Sequence, residues 1–333
     1  MVKTSTVPCM TTQYELGQTT SRIVGAMASL PRKRPLPLVC QASVVLSMMG
    51  SVTIQTMASA DDYIAPDLVK VTTPLYKASL DYFQPRFGTY QYTVGWEGIP
   101  AASCSLSFKD DGNNFIVETA ARTYSAVDLL YKLRYDATGI FSKNDLTSIK
   151  LTINHRENSR HKHVDIDFLP DGGRVSAIRS KGADDPHKIA VSFIPHNFTL
   201  DPIAAAFIAR ALPWELKETK VFDVFNGKSR YYIELTAVRR ETIRHNGEER
   251  KVIVITPQVR NLTTTKPISK LREAFIYVTD DPYREVLKIV SSVFIGSVTT
   301  SLESFTPFAH NDANPAQRSQ VQSPQEFRFA ASM

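Results

Sequence analysis

Residues 90–108 read YQYTVGWEGIPAASCSLSF, and this stretch decides the fold class. Large apolar side chains at Tyr90, Tyr92 and Val94 alternate with polar or small ones, and Cys104–Phe108 alternates with serines in the same way. Successive side chains of a β-strand point to opposite faces, so a period of two is typical of a half-buried strand. The Glu-Gly-Ile-Pro between the two runs favours a turn. The stretch therefore predicts two antiparallel strands that bury one face.

The same alternation recurs along the chain as far as Leu302. Two Asn-Gly pairs, which begin at Asn226 and Asn246, supply the positive φ angles that tight hairpin turns need. Only two helical segments interrupt the strands, at Ser125–Leu133 and after the capping residue Asp201. About a dozen strands with short turns predict a mainly β fold. We expect a single antiparallel, meander-like domain with two short helices, built as a curved sheet, a sandwich or a barrel.

The first 60 residues predict a leader with a cleavable signal peptide. Residues 32–34 (Arg-Lys-Arg) precede an uncharged and largely apolar stretch at 36–57, and Ala-Ser-Ala at 58–60 matches a small-x-small cleavage site. Met27 is an alternative translation start. The predicted units are the leader (1–60), an N-terminal arm (61–81), a β-rich domain (82–307) and a disordered tail (308–333). This organisation predicts export to a bacterial periplasm.

Charge and cysteine content argue against a nucleic-acid-binding protein and against a disulfide-bonded one. The net charge is +6, but residues 1–60 hold five basic side chains and one acidic one, which leaves +2 for the rest. So small an excess, with no Lys/Arg block, argues against a nucleic-acid partner. After the leader, Cys104 is the single cysteine, so no internal disulfide is possible. Its position between apolar neighbours of one strand predicts a buried small hydrophobe.

A histidine-rich strand is the densest group of potential metal ligands. His161, His163 and Asp165 occupy positions of one face, while Val164 and Ile166 take the core-facing positions. Same-face strand residues are spaced too widely for an undistorted tetrahedral site, so the sequence predicts no metal and keeps these three side chains as the alternative. Neither a nucleophile elbow nor a phosphate-cradling glycine loop is present. We therefore expect no cofactor and no catalytic residue.

Four segments, taken in order, resemble a known family. They are Gly88–Pro100 (GTYQYTVGWEGIP), a helix with Asp201, Pro202, Ala205 and Arg210, a hairpin from Phe222 to Tyr231, and a closing strand pair with Thr279, Asp280, Asp281, Arg284 and Gly296. Together they span about residues 82–306. They are similar to an uncharacterised family of exported bacterial proteins, domain of unknown function 3108. The resemblance implies an exported β-rich domain and no particular reaction.

The candidate ligand-binding residues come from these segments: Arg210, Asp223, Asp280, Arg284 and Trp96. Charged side chains beside helix ends and hairpin turns could converge at one rim of the sheet. Each also has a structural interpretation, because helix caps and turns select the same residue types.

Three functions are compatible with this sequence. The first is a non-catalytic periplasmic protein that binds an apolar or amphipathic ligand, or an envelope partner, in the concave face of its sheet. The second is a periplasmic hydrolase that acts on envelope polymers with carboxylates such as Asp223 and Asp280. The third is a structural adaptor without a pocket. We expect at most peripheral contact with a membrane, and the sequence leaves the oligomeric state open.

Overall fold

The structure is a computed structural model that describes residues 64–69, 71–74, 76, 83–168, 174–180, 186–192, 199–264, 273–292 and 296–308. The predicted leader, its cleavage site and the tail after Phe308 lie outside these residues. No helix among the described residues is long and apolar enough to span a membrane.

The described residues form one sheet of fifteen strands in the order β8-β7-β6-β5-β4-β3-β2-β1-β15-β14-β13-β12-β11-β10-β9. Neighbouring strands are antiparallel, except that the two-residue β9 runs parallel to β10. The strand bounds are Gly88–Trp96 (β1), Ile99–Asp110 (β2), Asn114–Thr123 (β3), Leu133–Ser142 (β4), Ser148–Glu157 (β5), Arg160–Phe168 (β6), Arg174–Ser180 (β7), Pro186–Ser192 (β8), Thr199–Leu200 (β9), Thr219–Phe225 (β10), Arg230–His245 (β11), Glu248–Asn261 (β12), Glu273–Thr279 (β13), Val286–Ser292 (β14) and Ser297–Pro307 (β15). The helices are Ser125–Asp128 (α1), Pro202–Arg210 (α2) and a 3-10 turn at Pro66–Leu68.

The pattern that predicted β1 and β2 is confirmed. Ala102, Cys104, Leu106 and Phe108 are all buried on one face of β2, while the serines between them are half-buried on the other. Burial raises the pKa of the Cys104 thiol to about 12, so this side chain packs as a neutral hydrophobe.

The sheet curls until its two edges are close in space. The edge strands β8 and β9 are consecutive in the chain, with Ser192 and Thr199 only seven residues apart. Seven residues span at most about 25 Å, so the sheet is strongly curved. The hairpin between β10 and β11 packs on β6, because a Cβ added at Gly227 would overlap Val164 and lie 3.2 Å from Ile166 Cδ1. Of the three expected architectures, the molecule adopts the curved sheet.

Helix α2 fills the concave side of this sheet. Asp201 Oδ1 accepts hydrogen bonds from the backbone N–H groups of Ile203 (2.7 Å) and Ala204 (3.1 Å), as predicted for a helix cap. Phe207 packs against Phe108, with ring centroids 4.7 Å apart. Gly139 of β4 lets the helix approach, because a Cβ there would lie 3.0 Å from Ile203 Cδ1. The core therefore lies between α2 and the sheet.

The predicted helix at Ser125–Leu133 was wrong beyond its first turn. Helix α1 ends at Asp128, and β4 begins at Leu133, a strand that the sequence analysis missed. Tyr131 is buried, whereas Leu130 is 78% exposed, so the apolar residues of this segment do not pack along one helical face. The next ten residues, Leu133–Ser142, pair with β3 on one side and with β5 on the other. The short strands β8 and β9 are also additional to the predicted dozen.

The two Asn-Gly hairpins are confirmed, although they use different turns. Asn246 and Gly247 have φ angles of 49° and 85°, and His245 pairs with Glu248 across a two-residue loop. The other loop has four residues, because Phe225 pairs with Arg230. There Asn226 Oδ1 accepts two backbone hydrogen bonds from the following residues instead of adopting a positive φ.

Stability should depend on pH through the helix cap. Burial raises the pKa of Asp201 to about 6, whereas an unfolded Asp titrates near 3.9. Between these two pH values the Asp201 carboxyl is protonated in the folded chain and ionised in the unfolded chain. The stability that this bound proton contributes is therefore lost as pH rises from about 4 to about 6. Asp201→Asn keeps a capping oxygen and removes the titration. In denaturant unfolding, the free energy of unfolding of the variant relative to wild type should increase between pH 4 and pH 7, by about 3 kcal/mol at most. A loss of stability relative to wild type over that range would contradict the assignment.

Candidate functional site

A cavity of about 90 Å³ lies between α2 and the inner face of strands β1, β2 and β11–β14. Its wall is mainly aliphatic and aromatic, and no lining residue is a carboxylate. The lining residues are Tyr90, Tyr92, Leu106, Ala206, Phe207, Ala209, Arg210, Trp214, Leu235, Ile253, Ile255, Ile276, Val278, Arg284, Val286 and Ile289. Several of them, including Ala206 and Arg210, are partly exposed, so the cavity reaches the surface beside the end of α2.

Arg210, the last residue of α2, is one of two charged residues in this wall. Its Nε donates to the carbonyl of Arg284 (2.8 Å), and Nη2 donates to the carbonyl of Tyr283 (3.3 Å). The guanidinium lies over the rings of Phe83 and Phe207, 4.7 and 4.8 Å from their centroids. Burial lowers the pKa of Arg210, but an arginine keeps its charge in proteins. Among the described residues no carboxylate pairs with it.

Arg284, the second charged residue, belongs to the turn between β13 and β14. Its φ is 47°, and Asp281 Oδ1 stabilises the turn by accepting from the N–H of Tyr283 (2.9 Å) and of Arg284 (3.2 Å). Arg284 Nη1 donates to Asp280 Oδ1 at 3.0 Å. The Nε atom is buried and has no hydrogen-bond partner in the described part of the chain. One donor of the cavity wall is therefore unused.

The surroundings of the two arginines are positive. Asp280 also pairs with Arg240 (2.9 Å), and the buried Glu285 pairs with Arg86 (2.8 Å). The arginines of this cluster are residues 86, 210, 240, 250 and 284, and its carboxylates are residues 280, 281 and 285. The excess of two positive charges beside an apolar cavity favours an anion over a cation.

Two tyrosines complete the wall without adding charge. Burial raises the pKa of both Tyr90 and Tyr92. The Tyr90 hydroxyl donates to the carbonyl of Arg86 at 3.2 Å. Both rings therefore remain neutral, and the arginines supply the charge of the site.

The structure brings together three of the five candidate residues. Arg210 and Arg284 line the cavity, and Asp280 is the ion-pair partner of Arg284. Trp96 packs elsewhere, against a small separate cluster that includes Val298. Asp223 is 1% exposed and paired with Arg230. We therefore leave Trp96 and Asp223 out of the site.

The histidine-rich strand has internal partners. His163 Nδ1 lies 2.7 Å from Asn154 Oδ1, and Nε2 lies 2.6 Å from Asp165 Oδ2, so both ring nitrogens are hydrogen-bonded. His161 is exposed at the start of β6. Within the described ranges, no group of three or more His, Cys, Asp or Glu side chains is arranged to hold a metal ion.

Sequence reasoning missed much of the apolar wall. Ile253 and Ile255 line the cavity from β12, and Trp214 lines it from the segment after α2. The available signal was the unbroken apolar run Val252–Ile255, in which all four residues are buried. Such a run is typical of a strand covered on both faces.

A family model described as "Protein of unknown function (DUF3108)" matches residues 91–303. A crystal structure of a beta-barrel-like protein of domain of unknown function DUF1849 from Brucella abortus is similar to this chain at 9% sequence identity. That match covers 67% of this chain and 98% of the other, with a TM-score of 0.44. No curated protein matches.

Proposed function

This chain belongs to the DUF3108 family, and we propose that it binds an amphipathic anion without catalysing a reaction. The anionic group of the ligand pairs with Arg210 and Arg284, and the first carbons of its alkyl chain occupy the cavity. One observation carries the proposal: the aliphatic and aromatic wall contains two guanidinium groups, and it contains no carboxylate. We further propose that this binding takes place in the periplasm, because residues 32–60 match a signal peptide.

The size of the cavity limits the ligand. A volume of about 90 Å³ is smaller than the apolar cavity of about 150 Å³ that takes up benzene, and far below the 300–1,000 Å³ of pockets for drug-sized molecules. The cavity therefore fits the anionic group and the few carbons next to it. The remainder of the alkyl chain passes the partly exposed Ala206 and Arg210 at the surface.

The two other hypotheses find less support. A hydrolase that used Asp223 and Asp280 would need both carboxylates in one polar cleft. Asp223 is instead buried against Arg230, and Asp280 is held between Arg240 and Arg284. A structural adaptor has no need of a cavity, so the cavity itself favours ligand binding.

Calorimetric titration with dodecanoate, and with dodecanol as a neutral ligand of equal chain length, tests this proposal. Dodecanoate should bind at one site per chain. Arg210→Gln should lower the affinity for dodecanoate at least about 10-fold, because a hydrogen bond to a charged group contributes about 1.5–3 kcal/mol. It should change dodecanol binding little.

Arg260→Gln, at an exposed arginine of β12 outside the cavity wall, is the matched control and should bind both ligands as wild type does. Retained dodecanol binding would show that the Arg210 variant is folded. Equal loss of both ligands in Arg210→Gln, or no uptake of dodecanoate by wild type, would contradict the proposal.

A further inference from the structure

Two adjacent leucines after helix α1 are exposed to solvent. Leu129 is 87% exposed and Leu130 is 78% exposed. Two more apolar side chains lie at the same end of the sheet, Ile99 (63%) at the start of β2 and Tyr124 (38%) just after β3. The Tyr124 N–H donates to the carbonyl of Ala101 at 3.0 Å, which ties these two segments together. We call Ile99, Tyr124, Leu129 and Leu130 the apolar tip.

The loop that carries the leucines is held in place. The N–H groups of Leu130 and Tyr131 both donate to the carbonyl of Val127 at 2.9 Å, and the Tyr131 ring is buried. Asn158 fixes the end of the loop, because its Oδ1 accepts from Lys132 N (2.9 Å) while its own N–H donates to the carbonyl of Lys132 (2.8 Å). The leucines are thus presented outward by a fixed backbone, and their exposure does not depend on a loose loop.

Basic side chains flank the apolar tip. Lys132, Arg156 and Arg160 are exposed at this end of β4, β5 and β6, and none of the three has an ion-pair partner among the described residues. Of the carboxylates at this end, Asp128 is neutralised by its ion pair with Arg134, and Glu97 and Glu157 still leave the basic side chains in excess. Exposed leucines with unpaired basic side chains around them have the composition of a surface that meets anionic lipid headgroups and buries apolar groups beneath them.

We propose that the apolar tip docks onto the surface of an anionic lipid bilayer, with Leu129 and Leu130 inserted between the lipids. The three basic side chains then meet the headgroups. This tip lies at the end of the sheet opposite the turn of Arg284. Trp96, the last residue of β1, pairs with Ile99 at the tip, whereas Arg86, just before the start of β1, pairs with Glu285 beside that turn. The docking surface is distinct from the cavity, and it does not rest on the proposed ligand.

Co-sedimentation with vesicles tests this inference. We expect wild type to bind vesicles of phosphatidylglycerol and phosphatidylcholine at least about 10-fold more strongly than vesicles of phosphatidylcholine alone, since basic residues gain from anionic lipid. The double variant Leu129→Ser/Leu130→Ser should lose at least about 10-fold of this partitioning. Both leucines are exposed, so the variant should fold, and its melting temperature provides the check.

Leu216→Ser is the matched control, because Leu216 is 48% exposed in the connection between α2 and β10, away from the apolar tip. This variant, which differs from wild type at Leu216 alone, should bind vesicles as wild type does. Equal vesicle binding by the double-serine variant, or no preference for anionic vesicles in wild type, would overturn the proposal. A wild-type dimer that becomes monomeric on the double substitution would also overturn it, because the tip would then be an interface between two copies.

Discussion

Replacing Asp223 by Asn should lower the free energy of unfolding by about 3–5 kcal/mol, the cost of leaving one partner of a buried ion pair uncompensated. The side chains of Asp223 and Arg230 are 0% and 1% exposed, and Arg230 is the largest fully buried side chain among the described residues. Arg230 donates to both oxygens of Asp223 at 2.6–3.0 Å. The asparagine has the shape of Asp223 but lacks its charge, so the buried guanidinium would lose the charge of this carboxylate.

Arg230 also connects the sheet to the N-terminal arm. Its Nη1 donates to the carbonyls of Pro66 (3.3 Å) and Val69 (2.8 Å), so the arginine also holds the described part of the N-terminal arm against the sheet. Without Asp223 we expect the arm to loosen as well as the hairpin.

A matched control for the Asp223 substitution is the exposed cross-strand pair of Lys109 and Glu118, with side chains 42% and 48% exposed. Lys109→Ala should cost about 0–1 kcal/mol, as exposed pairs do. Chemical denaturation of both variants provides the comparison. If Asp223→Asn proved as mild as Lys109→Ala, Asp223 would return to the candidate binding residues, since its role would no longer be structural.

Gly227→Ala should destabilise the protein by about 1–3 kcal/mol more than Gly247→Ala does. Both glycines have positive φ angles, 83° and 85°, in hairpin turns, so both substitutions carry a similar backbone cost. They differ in surroundings. A Cβ at Gly227 would overlap Val164 of β6, whereas a Cβ at Gly247 meets nothing within 4 Å. The difference between the variants therefore isolates the overpacking of one contact.

At this contact the β10–β11 hairpin packs on β6, a strand from the other half of the curved sheet. The comparison therefore also measures how strongly the curvature of the sheet depends on this contact. Thermal or denaturant unfolding of the two variants gives the result directly. Equal destabilisation would mean that the β10–β11 hairpin does not pack on β6 as described.

Local sequence signals predicted the local structure well. Asn246-Gly247 specifies its own turn, and Asp201 with Pro202 specifies the start of α2, because the atoms that interact lie within three residues of one another. The contact of Gly227 with Val164 joins positions 63 residues apart. No local rule encodes it, so the curvature of the sheet could not be chosen over a sandwich or a barrel.

The candidate site was predictable only in part for the same reason. Arg210 and Arg284 were selected one by one, and their meeting depends on the end of α2 packing against the β13–β14 turn, 74 residues away. Asp223 was selected by the same reasoning, yet it is buried and forms an ion pair with Arg230. A charged residue in a strand does not reveal whether its partner is a ligand or another side chain.

The most direct test of the central claim fills the cavity. Ala206 lines the cavity on α2, and Ala206→Phe would place a ring where we propose the alkyl chain. Ala120→Phe on the outer face of β3 adds the same ring away from the cavity. In calorimetric titration with dodecanoate, Ala206→Phe should abolish binding at the single site while Ala120→Phe binds as wild type does. Binding that survives in a folded Ala206→Phe variant would show that the ligand does not enter this cavity.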